Sequence, residues 1–173
     1  MTGDRVAFST LAYEVSDRLY AVAYRILRDS GLAEDALQNT LVTAWKSIRS
    51  LRDADRFEAW IHRVLVHEAY AEARSRSRQN DTVQRIATVD EGVEESSAVL
   101  DRDAIERAFR RLSPEHRAVF VLHYYVGQPL VEVAATLGIP AGTARSRLHY
   151  ASQVLRNVLL PDRPGTLEEA GLA

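Results

Sequence analysis

The amino-acid sequence predicts an all-α fold of two small helical domains joined by a flexible acidic linker, with a helix-turn-helix in the C-terminal domain. Apolar residues recur at steps of three and four along most of the 173-residue chain, which is the period of an amphipathic helix. The stretch 81–101 holds one basic and six acidic residues and has no sustained apolar face, which is typical of a linker. Near the C-terminus, Gly138 separates two apolar-periodic segments, as a helix-turn-helix requires.

The first domain, predicted over residues 1–80, contains three amphipathic helices. The first spans about 5–28, and Asp29 or Ser30 can cap the second, which spans about 32–50. The third runs from Phe57 to about Arg78, after a polar loop between Arg49 and Arg56. The residues that we expect to face the core are Phe8, Leu11, Val15, Leu19, Val22 and Ile26 in the first helix, Leu37, Leu41, Ala44 and Ile48 in the second, and Trp60, Val64, His67 and Ala71 in the third.

The second domain, predicted over residues 102–160, starts with a helix that ends near Leu112. Ser113 then caps another helix, in which Pro114 takes the first helical position. Gly127 ends that helix and leads into the helix-turn-helix. The expected core residues are Ile105, Ala108, Phe109 and Leu112, then Ala118, Val119, Leu122 and Val126, then Leu130, Val133, Ala134 and Leu137. The remaining segment, 161–173, is expected to be a disordered tail.

The second helix of the helix-turn-helix carries the chemistry of a DNA-reading surface. It is predicted to start at Thr143, whose hydroxyl could cap it, and to end near Leu160. Its outward side has cations, hydrogen-bonding groups and an aromatic ring, without any carboxylate, which suits phosphates and base edges in a major groove. The candidate DNA-binding residues are Thr143, Arg145, Ser146, Arg147, His149 and Tyr150. A solvated face of an ordinary helical hairpin is the structural alternative.

Charge is distributed unevenly along the chain. The net charge is −2, yet residues 102–160 hold eight basic and four acidic residues, so the helix-turn-helix lies in a positively charged segment. This excess is modest, and we expect weak DNA binding by the isolated segment, because non-specific affinity comes from phosphate neutralisation.

Other classes of site find no support in the sequence. The chain has no cysteine, no glycine-rich phosphate loop, and no histidine or carboxylate arrangement that suggests catalysis. The sequence therefore predicts no enzyme, no metal site and no cofactor. It shows neither an apolar signal segment nor a membrane span, so we expect a cytoplasmic protein.

Two blocks of sequence resemble the extracytoplasmic-function (ECF) sigma factors, the group of the sigma-70 family that keeps only regions 2 and 4. The resemblance covers residues from about Phe8 to Leu160. The similar segments are 33–41 (AEDALQNTL), 44–45 (AW), 57–61 (FEAWI), 112–114 (LSP), Arg117, 124–125 (YY), 133–134 (VA), 137–139 (LGI) and 142–148 (GTARSRL). The chain departs from the family pattern at His67 and Ala71, where asparagine and aspartate are usual, and at Tyr150, where a further arginine is common.

This resemblance implies a role and partners. It implies binding to core RNA polymerase and to promoter DNA, with catalysis left to the polymerase, and an anti-sigma factor as a further partner. A stand-alone helix-turn-helix regulator and an inert helical interaction protein are the rival functions. The resemblance assigns Asp35, Gln38 and Asn39 to the polymerase and the loop residues Leu51, Arg52, Asp53, Ala54, Asp55 and Arg56 to the −10 element. Val42 is a further candidate on the polymerase face, His67 and Arg74 are further candidates for the −10 element, and the helix-turn-helix residues are the candidates for the −35 element.

Overall fold

The computed structural model describes residues 2–51, 53–83 and 97–159. Within these ranges the chain forms helices and no strand, so the predicted all-α class is confirmed. We call α1–α3 the first unit and α4–α7 the second unit. The helices are α1 Thr2–Leu27, α2 Ser30–Ser47, α3 Phe57–Val83, α4 Ser97–Arg111, α5 Pro114–Phe120, α6 Leu130–Leu137 and α7 Ala141–Leu159.

The apolar stripe of α1 is buried as its spacing predicts. Val15, Leu19, Val22 and Ile26 belong to the hydrophobic core, and the more N-terminal members of the stripe pack at its edge. The helix ends at Leu27 because Arg28 takes a left-handed backbone conformation with φ 60°. The side chain of Asp29 then accepts a hydrogen bond from the backbone N–H of Leu32 at 3.0 Å, which confirms the predicted cap of α2.

The buried face of α2 differs from the predicted one. Its fully buried residues are Ala33, Ala36, Thr40 and Ala44, whereas Leu37, Leu41 and Ile48 are only partly buried. Small side chains line this face because α2 packs against both α1 and α3, and close approach of two neighbours leaves little room. The hydroxyl of Thr40 is satisfied within the helix, where it donates to the carbonyl of Ala36 at 2.6 Å.

The orientation predicted for α3 is wrong at His67. The buried positions are Ile61, His62, Leu65, Val66 and Ala69, and His67 is exposed. Apolar residues lie on more than one side of α3, since it packs against α1, α2, α5 and α6, so periodicity alone did not identify the deepest face.

The second unit begins as its local signals predict. Ser113 accepts a hydrogen bond from the backbone N–H of His116, and Pro114 is the first residue of α5. Of the predicted core of α4, Ala108 and Leu112 are buried, but Ile105 is exposed, which corrects that assignment. After α5, a π-helical segment, Val121–Tyr125, continues the chain to Gly127.

The helix-turn-helix is present, with one correction. Gly138 ends α6 at φ 64°, and the N–H of Ile139 donates to the carbonyl of Ala134 at 3.0 Å, as in a glycine-terminated helix. The next helix starts at Ala141, two residues before the predicted start, and the N–H of Ala144 bonds to the carbonyl of Pro140. Thr143 therefore lies inside α7 and does not cap it.

The two units share one hydrophobic core. Buried residues of α1 and α3 form a single cluster with Val119, Leu122 and Val133 of the second unit. The predicted linker, 81–101, is helical at 81–83 and 97–101, and its remainder lies outside the described residues, as does the predicted tail, 161–173. No described helix is long and apolar enough to cross a membrane.

The packing of α2 is testable with one substitution. Ala36→Leu should lower the free energy of unfolding by about 1–3 kcal/mol, because added methylenes in a filled core force neighbouring side chains apart. Urea unfolding followed by circular dichroism measures this change. Glu34→Leu adds the same side chain at an exposed position of α2 and should change stability by less than about 0.5 kcal/mol. Equal effects of the two variants would contradict the observed orientation of α2.

Candidate functional site

The outer face of α7 is free for a partner. Arg145, Ser146 and His149 are exposed, while Ala144 and Ala151 on the opposite side are fully buried. The hydroxyl of Ser146 donates to the carbonyl of Thr143 at 3.0 Å, which leaves its lone pairs available as acceptors. No carboxylate occurs anywhere in α7. This face can offer hydrogen-bond donors and positive charge to an anionic groove.

The other three predicted residues of α7 lie on its flank. Thr143 and Arg147 are half-buried. The ring of Tyr150 packs on the imidazole of His116 in α5, with centroids 4.7 Å apart and planes tilted by 48°. The Nδ1 atom of that imidazole lies 2.8 Å from the hydroxyl of Ser113. The flank of α7 is therefore held against the N-terminal turn of α5.

The charge of Arg147 acts on titratable groups of α5. Burial lowers the pKa of His116, and the positive charge of Arg147 lowers it further against a smaller opposing effect of Glu115. Burial raises the pKa of Glu115, but hydrogen bonds from Ser113 and from the backbone, together with the charge of Arg147, outweigh it, so the pKa is lowered. Arg147 thus directs its charge towards α5, whereas Arg145 remains exposed.

The loop predicted to read the −10 element contains a folded turn. Asp53 accepts a hydrogen bond from the N–H of Asp55 at 3.0 Å and pairs with the guanidinium of Arg56 at 3.2 Å. These bonds close the 3₁₀ turn Ala54–Arg56, whose residues are exposed, directly before α3 begins. Leu51 is half-buried, and Arg52 lies outside the described residues.

The exposed side of α3 continues from this turn. His67 and Arg74 are both exposed and are seven residues apart, which places them two helical turns apart on one face. Tyr70 lies between them in sequence but is partly buried, and burial raises the pKa of its hydroxyl. Tyr70, Glu115 and His116 were not among the predicted site residues, and the contact of His116 with Tyr150 joins residues that are distant in sequence.

The predicted polymerase-binding face of α2 is exposed and has an apolar edge. Asp35, Gln38, Asn39 and Val42 are all exposed, and the amide of Asn39 donates to Glu72 of α3 at 3.0 Å. Next to them, Trp45 is 41% exposed and its ring packs edge-on against Phe8 of α1 at 5.0 Å. Exposed aromatic and aliphatic groups within a polar surface are typical of protein-binding sites. Trp45 and Phe8 were not among the predicted site residues.

Two histidines of the second unit, His116 and His123, have structural partners. The Nδ1 atom of His123 lies 2.9 Å from the carbonyl of Gln128, and His116 contacts Ser113 and Tyr150 as described above. Among the residues that the structure describes, no group of three histidine, cysteine or acidic side chains could hold a metal ion.

Comparison with known proteins identifies both units. Residues 11–79 match the family model of Sigma-70 region 2, and residues 108–157 match that of Sigma-70, region 4. The chain is 37% identical over 145 residues to the ECF RNA polymerase sigma factor SigL of Mycobacterium tuberculosis, with 82% of each chain covered. It is 27% identical to the ECF RNA polymerase sigma factor SigW of Bacillus subtilis, with 91% of each covered.

A solved structure agrees with these matches. The sigma factor RpoE of Bartonella quintana, in complex with the anti-sigma factor NepR, superposes with a TM-score of 0.73 at 26% identity, covering 91% of this chain and 99% of that one. The chain belongs to the ECF RNA polymerase sigma factors of the sigma-70 family.

The orientation of α7 predicts a titration result. Arg147→Gln should raise the pKa of the His116 imidazole, because it removes a positive charge that disfavours the imidazolium ion. Histidine ring signals followed by NMR from pH 5 to pH 8 measure this value. Arg145→Gln, which removes the same charge from the exposed side of α7, should leave the pKa of His116 unchanged. A larger shift for Arg145→Gln would reverse the assignment of outer face and flank.

Proposed function

We propose that this chain acts in the cytoplasm as an alternative sigma factor, which binds core RNA polymerase and directs it to a set of promoters. The observation that carries the proposal is the occurrence of both sigma-70 regions in one chain, each presenting an exposed face of suitable chemistry. Residues 1–80 act as region 2, 81–101 as the linker and 102–160 as region 4. The polymerase performs the catalysis, and the chain needs no cofactor or metal of its own.

The outer face of α7 reads the −35 element. Arg145, Ser146 and His149 are the base-edge candidates because they are exposed on a helix without carboxylates. Tyr150, which is 48% exposed, is a further base-edge candidate, and Thr143 and Arg147, which are half-buried on the flank, lie nearer the phosphate backbone. Tyr150, whose ring packs on that of His116, stands where an arginine is common in the family. Because an aromatic ring replaces a cation at this position, we expect a distinct preference among −35 sequences.

The segment from Leu51 to Arg56 reads the −10 element together with the exposed side of α3. The paired Asp53 and Arg56 hold the turn in shape, which lowers the entropy lost when a base binds. Asp55 is the acidic acceptor left exposed for a base amino group, and Arg52, His67 and Arg74 are the cationic and polar groups for the strand. A flipped base can be read here because it exposes its pairing edge.

The exposed face of α2 binds polymerase through Asp35, Gln38, Asn39 and Val42. Val42 continues into the aromatic pair of Trp45 and Phe8, so this surface combines an apolar centre with polar groups around it, as protein interfaces do. An anti-sigma factor is a further partner, a proposal supported by the complex in which the RpoE relative was solved. A stand-alone helix-turn-helix regulator binds its operator without polymerase and would not need such a face.

Run-off transcription tests the proposed function. Core polymerase with this chain should yield promoter-specific transcripts that core polymerase alone does not.

The double variant Asp35→Arg, Gln38→Ala should weaken association with core polymerase about tenfold or more, a loss of about 1.4 kcal/mol, because charge and hydrogen bonding at the interface are lost. Helical circular dichroism should be unchanged. Asp17→Arg, an exposed charge reversal on α1, is the matched control and should bind normally. Promoter binding without polymerase, and no transcript with it, would favour the stand-alone regulator.

The two DNA-reading surfaces should be separable. Arg145→Ala should flatten discrimination among −35 variants, by up to about 1–3 kcal/mol if the arginine bonds to guanine, and should leave −10 preference unchanged. Exchange of residues 51–56 for the loop of a relative with a different −10 preference should have the opposite effect. Transcription by holoenzyme on promoters altered in one element at a time measures both effects. If the −10 preference does not follow the loop, the exposed side of α3 must be the reader.

A further inference from the structure

An imidazole of α5 lies beside two of the predicted DNA-binding residues. The ring of His116 packs on that of Tyr150, with centroids 4.7 Å apart, and the charge of Arg147 acts on it. Both partners lie on the flank of α7, where Arg147 is placed near the phosphate backbone. His116 itself is only partly buried. A phosphate that approaches this flank therefore comes close to an ionisable ring.

Hydrogen bonds around Ser113 determine which nitrogen of His116 carries a proton. The hydroxyl of Ser113 has a single hydrogen, which it donates to the carboxylate of Glu115. Its oxygen lies 2.8 Å from Nδ1 of His116 and then accepts a hydrogen bond from that nitrogen. We therefore assign the proton of the neutral imidazole to Nδ1, which leaves a lone pair on Nε2. Only the protonated ring can donate a hydrogen bond from Nε2.

The charges of this cluster cancel while His116 is neutral. Glu115 contributes one negative charge and Arg147 one positive charge, so the two together offer no net attraction to DNA. The carboxylate alone would repel a phosphate. Protonation of His116 gives the cluster a net positive charge, and the same step creates the donor at Nε2. The cluster can thus bind a phosphate in one protonation state and not in the other.

The free chain keeps His116 mainly neutral at pH 7. Burial lowers its pKa below the ordinary value, and the charge of Arg147 lowers it further against the opposing effect of Glu115. Tyr70 of α3, on which the same two charges act, stays protonated because burial raises its pKa. A phosphate near Arg147 offsets the repulsion and attracts the imidazolium ion directly, and the neighbouring ring of Tyr150 also favours a cation. Bound DNA therefore raises the pKa of His116.

We propose that His116 binds a backbone phosphate of the −35 element in its protonated form, so that the chain takes up a proton there when it binds the promoter. Ser113 and Tyr150 position the ring, and Arg147 contacts the same stretch of the DNA backbone. The phosphate-binding group is thus on α5, outside the helix that reads the bases. The proposal rests on the proposed function, because it requires that α7 binds the −35 element.

Promoter binding by the holoenzyme, measured by fluorescence anisotropy between pH 8 and pH 6, tests the proton uptake. Because the pKa of His116 is lower in the free chain than in the complex, affinity should rise as the pH falls between these two values, by at most about tenfold per pH unit for one proton. His116→Gln can donate a hydrogen bond but cannot become charged, and should lose this gain. His116→Lys, which carries a permanent charge, should bind at pH 8 about as tightly as the parent at pH 6. Comparison with the parent at each pH removes the pH dependence of the polymerase itself.

Neutral methylphosphonate groups, placed one at a time along the −35 backbone, locate the phosphate. One of them should weaken binding by the parent holoenzyme at pH 6 and have little effect at pH 8. The same group should have little effect at either pH on His116→Gln, because the contact is already missing. The slope of log affinity against log salt should be steeper at pH 6 than at pH 8 by about 0.9 in the parent, and equal at both in His116→Gln.

Controls separate this contact from folding and from another histidine. Each variant should keep the helical circular dichroism of the parent and bind core polymerase equally well. A pH dependence that remains in His116→Gln but disappears in His149→Gln would overturn the proposal, since the proton would then be taken up on the outer face of α7. A pH dependence unchanged in both variants would contradict it as well, while normal promoter binding would leave the proposed function intact. If the holoenzyme neither binds promoters nor yields transcripts, the proposed function fails, and this contact fails with it.

Discussion

The shared hydrophobic core between the two units is the constraint on which the other surfaces depend. Because α1 and α3 serve both the first unit and this contact, they carry apolar side chains on more than one side. The same holds for α5, which packs on α7 as well as on the first unit. Only the remaining faces can meet a partner. They include the outer face of α7, the polar side of α2, and the turn and exposed side at the start of α3, each of which lies outside the core.

The parts of the fold that the sequence predicted correctly are those with local causes. The stripe of α1, the caps at Asp29 and Ser113 and the stop at Gly138 each depend on residues within one or two turns. The errors have tertiary causes. Leucine was expected to mark the core side of α2, but a helix packed between two others places alanine and threonine there. Thr143 has the chemistry of a cap, yet the backbone had already become helical at Ala141.

The sequence predicted which residues of α7 form the candidate site, but not how they are arranged around the helix. The apolar period of α7 predicts that Arg145, Ser146 and His149 are exposed, and they are exposed in the structure. The division of α7 into an outer face and a flank could not be predicted from this period, because it depends on contacts with α5. In these contacts His116 lies against Tyr150, and Glu115 is affected by the charge of Arg147. No rule of local spacing links residues that are more than thirty positions apart. The aromatic edge of the α2 face was missed for the same reason, since Phe8 comes from another helix.

The use of cations in this structure also bears on how the chain can hold DNA. Affinity for DNA rises with the number of phosphates that a protein neutralises. In this chain Arg25, Arg28 and Arg63 are engaged with the second unit, and Arg117 is buried. The positive charge that remains available to DNA is therefore smaller than the sequence suggests. Such a surface can select among bases but neutralises few phosphates, and most of the affinity for a promoter must then come from the polymerase to which the chain is bound.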